Sequence, residues 1–256
     1  MGLTYAQSFL RARVCAPTQL TVLTRSAHSQ RRAAEQCDAQ VATSPDECLP
    51  EAQLLVLAVK PQDAPALFEQ LRPSVTPRQL VLSVMAGITL EQLRRGLGID
   101  KVVRAMPNLP AKVGAGMTVY TSAAAVTREE DAAVHNLLAT TGACLYVARE
   151  ALLDGATAVS GSGPAYVFYF MEAMTQQARA LGFSESESEL LVLQTFSGAV
   201  ELLRANELGC RAWIDRVSSR GGTTEAAVRA FGEAEVAEGI AAGIRAACRR
   251  AEELGG

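Results

Sequence analysis

The sequence predicts an α/β chain in two parts: a doubly wound parallel sheet over residues 1–150, then an all-α part over 151–256. Three observations carry this. Short continuous apolar runs recur through the first half, as expected of parallel strands buried on both faces. Helix-start signals sit between those runs, and strands alternating with helices build a doubly wound sheet. From about Ala151 the strand-like runs stop and only helical patterns follow.

Taken in order, the strand runs are Leu20 to Leu23, Leu54 to Val59, Leu80 to Val84, Lys101 to Arg104, Met117 to Tyr120 and Cys144 to Val147. The spacing of Ser44-Pro45-Asp46-Glu47, of Thr89 with Gln92 and of Thr127 with Glu130 predicts three capped helix starts. In the second half Pro164 to Leu181 reads as a helix closed by Gly182. Ser184 to Glu187 opens another that runs to about Ala205, and Glu225 to Ala230 and Glu233 to Glu253 complete the set. Gly198, Gly239 and Gly243 permit close helix packing, either in a monomer core or in a subunit interface.

Composition excludes several classes. The chain is 49% hydrophobic and 20% charged, with net charge −3 and only Lys60, Lys101 and Lys112 as lysines. No basic run points to nucleic acid or a membrane surface. Six cysteines form no C-x-x-C pair, and His28 and His135 are far apart, so no metal site is expected. Scattered cysteines fit a reducing cytosol, and a cytoplasmic location is expected. Residues 1–10 lack the pattern of a signal peptide, and no apolar segment is long enough to span a membrane.

A dinucleotide-binding domain opens with a strand, G-x-G-x-x-G and a helix. This chain begins Met1-Gly2-Leu3-Thr4-Tyr5-Ala6-Gln7. Gly2 reads as the third glycine of that fingerprint, or simply as the start of an N-terminal helix. The first strand and first two glycines are not seen, so facing strand edges are expected to lack a partner. The expectation is a start assigned too late or a truncated chain, with a degenerate relative as the alternative. Upstream coding sequence for an apolar strand and G-x-G would support the first idea; an immediate in-frame stop would remove it. After the run 20–23 comes Thr24-Arg25-Ser26. Hydroxyls and an arginine there suit a 2′-phosphate, so NADPH is expected over NADH.

Val217 to Ala227 reads V-S-S-R-G-G-T-T-E-A-A. Two glycines before a helical run allow a turn whose N–H groups cradle an anion such as a carboxylate. Ser and Thr are equally ordinary N-caps, so a polar helix start fits as well.

Together these pieces resemble the pyrroline-5-carboxylate reductase family. The blocks that carry the resemblance are Leu57-Ala-Val-Lys-Pro61, Val103-Arg-Ala-Met-Pro-Asn108, Val159-Ser-Gly-Ser-Gly-Pro-Ala-Tyr166 and Val217-Ser-Ser-Arg-Gly-Gly-Thr-Thr224. The resemblance implies a Rossmann-like cofactor domain over 1–150 and a helical substrate-binding and dimerisation domain over 151–256. It implies a homodimer or ring of dimers, with the active site between one subunit's cofactor domain and the partner's helices. The implied reaction is NADPH-dependent reduction of (S)-1-pyrroline-5-carboxylate to L-proline.

The fingerprint and the turn chemistry place Gly2, Thr24, Arg25 and Ser26 at the cofactor, and by resemblance Val59, Lys60, Ala86 and Asn108 bind it as well. Ser219, Gly222, Thr223 and Thr224 hold the substrate carboxylate, Thr224 also meets the ring nitrogen as the catalytic residue, and Glu207 binds substrate. Neither histidine falls in a matched block; His28 is expected near the adenosine end and His135 on a surface helix. Two departures stand out: Arg220 and Cys210 occupy positions where the family often has proline. Two other readings stay open. One is another NADP-linked two-domain dehydrogenase, disfavoured because no lysine follows Lys112. The other is a non-catalytic dimeric relative.

Overall fold

The computed structural model describes residues 1–255. It divides into two compact units, one comprising Met1–Pro164 with the chain from Ala247 onward, the other Ala165–Ala246.

The first unit opens with helix α1, Gly2–Arg11, followed by strand β1, Thr21–Leu23. Helix α2, Ala27–Gln36, then leads to β2, Gln40–Ala42, and a loop to β3, Leu54–Leu57. Next come α3, Ala64–Leu71, β4, Leu80–Ser83, α4, Leu90–Leu97, and β5, Val102–Pro107. The unit continues with β6, Gly116–Ser122, α5, Arg128–Ala139, and β7, Gly142–Tyr146. The short helix α6, Leu152–Ala156, runs into a π-helical turn at Thr157–Gly161. In the second unit, α7 spans Gly163–Ala180, beginning at the end of the first, α8 spans Glu185–Arg204 and α9 spans Cys210–Val217. Helices α10, Thr223–Glu233, and α11, Val236–Gly255, close the chain.

The strands form two sheets. β1 and β2 pair in parallel with each other, and β3-β4-β5-β6-β7 form the second sheet in that order. β3, β4 and β5 run parallel, as their apolar runs predict, but β6 is antiparallel to β5. Among the described residues no strand joins β1 to β3, the two strands that would flank the first strand of a dinucleotide fold.

Local chemistry explains most helix starts. Thr89, Thr127 and Ser184 each accept the backbone N–H three residues on, and Gln92, Glu130 and Glu187 reach back reciprocally. The predicted start at Ser44 gives only one 3₁₀ turn, Pro45–Glu47. There the Glu47 carboxylate is held chiefly by the N–H and hydroxyl of Thr43, the Ser44 hydroxyl itself donates to it at 3.2 Å, and Ser44 caps no helix N–H, so no box forms. β2 and α9 carry no sequence signal strong enough to predict. The predicted helix from Glu233 begins at Val236, because Glu235 sits at φ 51° and interrupts it.

Two apolar clusters fill the first unit. Leu55, Leu57, Phe68, Val81, Leu93, Leu97 and Val102 form one, on the side of α3 and α4. Tyr5, Phe9, Leu82, Val103, Tyr120, Val134 and Leu138 form the other, on the side of α1 and α5. α1 is pinned there by polar bonds as well: Tyr5 Oη lies 3.1 Å from Thr118 Oγ1, and Ser8 Oγ donates to the Thr140 carbonyl at 2.7 Å.

Candidate active site

The carboxyl ends of parallel strands are where ligands bind in open α/β sheets, because the following turns diverge there. Three adjacent parallel strands place predicted residues at those ends. Val59 and Lys60 follow β3, Ala86 follows β4, and Asn108 follows β5. Gly2 stands at the head of α1, where an added Cβ would come within 3.2 Å of Ala58 Cβ. The turn after Ala86 is closed from the chain's far end. Gly87 has φ 75°, and a Cβ there would meet the Leu254 carbonyl oxygen at 2.8 Å, so only glycine fits.

Thr24, Arg25 and Ser26 form the turn after β1. Ser26 caps α2 by accepting the Ser29 N–H at 3.2 Å. Arg25 extends to Asp63, with Nη1 3.2 Å from Oδ1, and its side chain is 85% exposed. A pair this open is worth little, so the guanidinium is available to a phosphate. The side chains of Lys112 and Arg32 lie close enough to the start of α1 for their positive charges to act there. Helix-start N–H groups, basic side chains and close backbone approach at Gly2 together fit a nucleotide carrying several phosphates.

Asn108 also has a structural task. Its amide nitrogen donates to the Ser160 carbonyl at 3.0 Å, and its oxygen accepts the Met117 N–H at 2.9 Å. It therefore ties the end of β5 to the π-helical turn and to β6. One N–H and one lone pair remain for a cofactor.

Sequence reasoning missed the anchor beneath this edge. Arg104, 4% exposed on β5, pairs at 3.0 Å with both Glu150 and Asp154. Glu150 also accepts the Leu90 N–H at the start of α4. The signal was a lone charge inside the run Val102-Val103-Arg104-Ala105: a buried guanidinium requires partners.

In the second unit, Ser219 to Gly222 forms a hydrogen-bonded β-turn, the Gly222 N–H donating to the Ser219 carbonyl at 2.9 Å. Gly221, third in the turn, has φ 71°, while Arg220 is not among the positive-φ residues. That combination defines a type II turn. A Cβ on Gly222 would lie 2.5 Å from Ser219 Oγ, so its lack of a side chain lets the hydroxyl fold over the turn. Gly222 caps α10 with no side-chain cap bond. The N–H groups of Thr223, Thr224 and Glu225 have no acceptor among the described residues. They are orphan donors at a helix start, and Thr224 beside them is half-buried. Glu207 lies in the exposed segment between α8 and α9.

His28 is exposed on the first turn of α2. His135 is half-buried and lines a cavity of about 600 Å³ with Tyr120, Asp131 and Tyr146, which holds none of the predicted site residues.

The family described as pyrroline-5-carboxylate reductase dimerisation matches residues 150–254, and that described as NADP oxidoreductase coenzyme F420-dependent matches residues 1–87. The chain is 36% identical over 251 residues to the pyrroline-5-carboxylate reductase of Pseudomonas aeruginosa, covering 96% of this chain and 92% of that one. Among solved structures, the pyrroline-5-carboxylate reductase of Coxiella burnetii superposes with TM-score 0.90 at 31% identity, over 99% of this chain and 96% of the other. The Plasmodium falciparum pyrroline carboxylate reductase with NADP bound gives TM-score 0.89 at 26% identity, over 100% and 95%.

Proposed function

This chain belongs to the pyrroline-5-carboxylate reductase family, and from that premise we propose how its own residues divide the work. The chain is an NADPH-dependent oxidoreductase that reduces (S)-1-pyrroline-5-carboxylate to L-proline, the last step of proline synthesis. NADPH supplies the hydride that reduces the C=N carbon.

On the cofactor side, Gly2 and the strand-end residues Val59, Lys60, Ala86 and Asn108 receive the dinucleotide. Thr24, Arg25 and Ser26 receive its 2′-phosphate. On the substrate side, Ser219 and the N–H groups of Thr223 and Thr224 hold the carboxylate, with Gly222 giving close access. Thr224 Oγ1 orients the ring nitrogen and relays the proton that the nitrogen gains from water. Glu207 supports the ring from the segment before α9. The observation that supports this assignment is the orphaned donor set behind the type II turn, since three unengaged N–H groups at a helix start, opened by the side-chain-free Gly222, suit a carboxylate.

The division into a cofactor domain over 1–150 and a helical domain over 151–256 is part of the same reading, supported by the family match from residue 150. So is a homodimer, extended to a ring of dimers, located in the cytoplasm. No described helix is long and apolar enough to cross a membrane.

The test is NADPH oxidation, followed by absorbance, with pyrroline-5-carboxylate as substrate. Thr224→Ala should lower turnover by about tenfold or more, since orientation supplies ~7–11 kcal/mol in favourable cases. Turnover equal to that of the unsubstituted protein would remove Thr224 from the mechanism.

A further inference from the structure

We infer that Glu225 is a positioning residue that holds the carboxylate-binding turn in shape, doing by hydrogen bond what a proline at position 220 would do by covalent geometry. The inference rests on the reading that this turn receives the substrate carboxylate.

The Glu225 carboxylate accepts the Gly221 N–H at 2.6 Å. A glutamate at the third helical position commonly reaches back to the N-cap N–H, closing a capping box. Here it reaches one residue further, past the cap Gly222, into the middle of the turn. Every N–H of the turn's second half is then accounted for: Gly222 is bound to Ser219 and Gly221 to Glu225. The donors left over are those of the first helical turn, which have no acceptor among the described residues. Glu225 therefore leaves the receptor donors free while fixing the loop that precedes them.

The turn requires such a brace. Position two of a type II turn favours proline, which sets φ near −65° before any ligand arrives. Arg220 supplies no such constraint, and no hydrogen bond or ion pair holds it among the described residues. Gly221 and Gly222, next in line, are the two most flexible residues a chain can carry. The Gly222 carbonyl accepts the Ala226 N–H at 3.2 Å at the turn's end, and a short, charge-assisted bond from Glu225 to the Gly221 N–H is the contact that ties the middle of the turn to the rigid helix.

The experiment measures KM for pyrroline-5-carboxylate, kcat and NADPH affinity in Glu225→Ala, Glu225→Gln, Ser219→Ala and the double variant Glu225→Ala/Arg220→Pro. A charge-assisted bond of this kind corresponds to about a tenfold change. Glu225→Ala should raise KM about tenfold with NADPH affinity unchanged. Glu225→Gln keeps an acceptor oxygen and should stay within about threefold. Arg220→Pro should restore most of the KM lost in Glu225→Ala, because a constrained turn no longer needs the brace. An unchanged or lower KM in Glu225→Ala, while Ser219→Ala raises it, overturns the role of Glu225 and leaves the carboxylate site standing. Equal losses in Glu225→Ala and Glu225→Gln, or no rescue by Arg220→Pro, also overturn it. If Ser219→Ala leaves KM unchanged too, the carboxylate reading fails and takes this inference with it.

Discussion

The two units spend their apolar residues in opposite ways. In the first, Val81, Leu82, Leu93, Val102, Val103 and Leu138 are wholly buried, the central strands packing against the unit's own helices. In the second, Phe168, Tyr169, Leu190 and Leu193 are 60–76% exposed, and α8 buries only Ser188 and Val192. Both halves are rich in Leu, Val and Ala, so the difference lies in what their helices pack against. A helix apolar on several faces is stable only when more than one neighbour covers it. The second unit supplies too few neighbours of its own, and a contiguous exposed apolar surface marks an interaction site. It is the part of the chain that the dimerisation family matches.

Breaking that contrast gives the largest expected effect. Leu190, Leu193 and Val200 lie at i, i+3 and i+10 on α8, all exposed. Burying a leucine is worth about 1.5–3 kcal/mol, and a two-fold interface counts each substitution twice. Leu190→Glu with Leu193→Glu should convert the proposed dimer to monomer in sedimentation velocity and abolish turnover. The first unit should keep its own core, so the monomer should retain a cooperative unfolding transition, while the far-ultraviolet helix signal falls as the uncovered helices of the second unit loosen. A dimer that survives both charges would show that α8 is not the interface.

The same contrast explains what could be read beforehand. The buried runs at β3, β4 and β5 and the boxes at Thr89, Thr127 and Ser184 are local signals, and each was legible because local energetics decided it. The box at Ser44 failed because Thr43 competed for Glu47 with two donors. The antiparallel β6 was illegible because a strand's direction depends on its connection, here a tight 3₁₀ turn at Leu109–Val113 ending on Gly114 at φ 74°. In the site, glycines and hydroxyls stood out by residue type, while Arg104 and Glu225 did not. Their roles come from partners that only the folded turn or sheet brings within reach.

Arg104 offers the next largest effect, this time within the well-packed unit. Removing one member of a buried ion-pair network leaves charges without compensation, at about 3–5 kcal/mol. Arg104→Met should lower thermal stability by that amount in denaturant or thermal unfolding. Because Glu150 and Asp154 lead into the π-helical turn held by Asn108, it should also lower kcat. Adding Glu150→Gln and Asp154→Asn should recover part of the stability, since neutral amides tolerate the site without the guanidinium. No recovery would mean that Arg104 acts through packing rather than charge.

Arg25 marks the smallest expected effect, at the sheet edge where neither unit's packing is involved. Its ion pair with Asp63 is solvent-exposed and contributes little to stability, so Arg25→Ala should leave the unfolding midpoint unchanged. A 2′-phosphate bound by the same guanidinium loses a charge-assisted contact, and NADPH affinity should fall about tenfold. NADH lacks that phosphate and should bind as before, so the ratio of the two dissociation constants isolates the contact from any general damage. Asp63→Asn sharpens the point from the other side: it releases Arg25 from its one partner and should raise NADPH affinity by a small factor, again without moving NADH. A preference ratio that stays constant in both variants would place the 2′-phosphate elsewhere and reduce Arg25 to a surface charge.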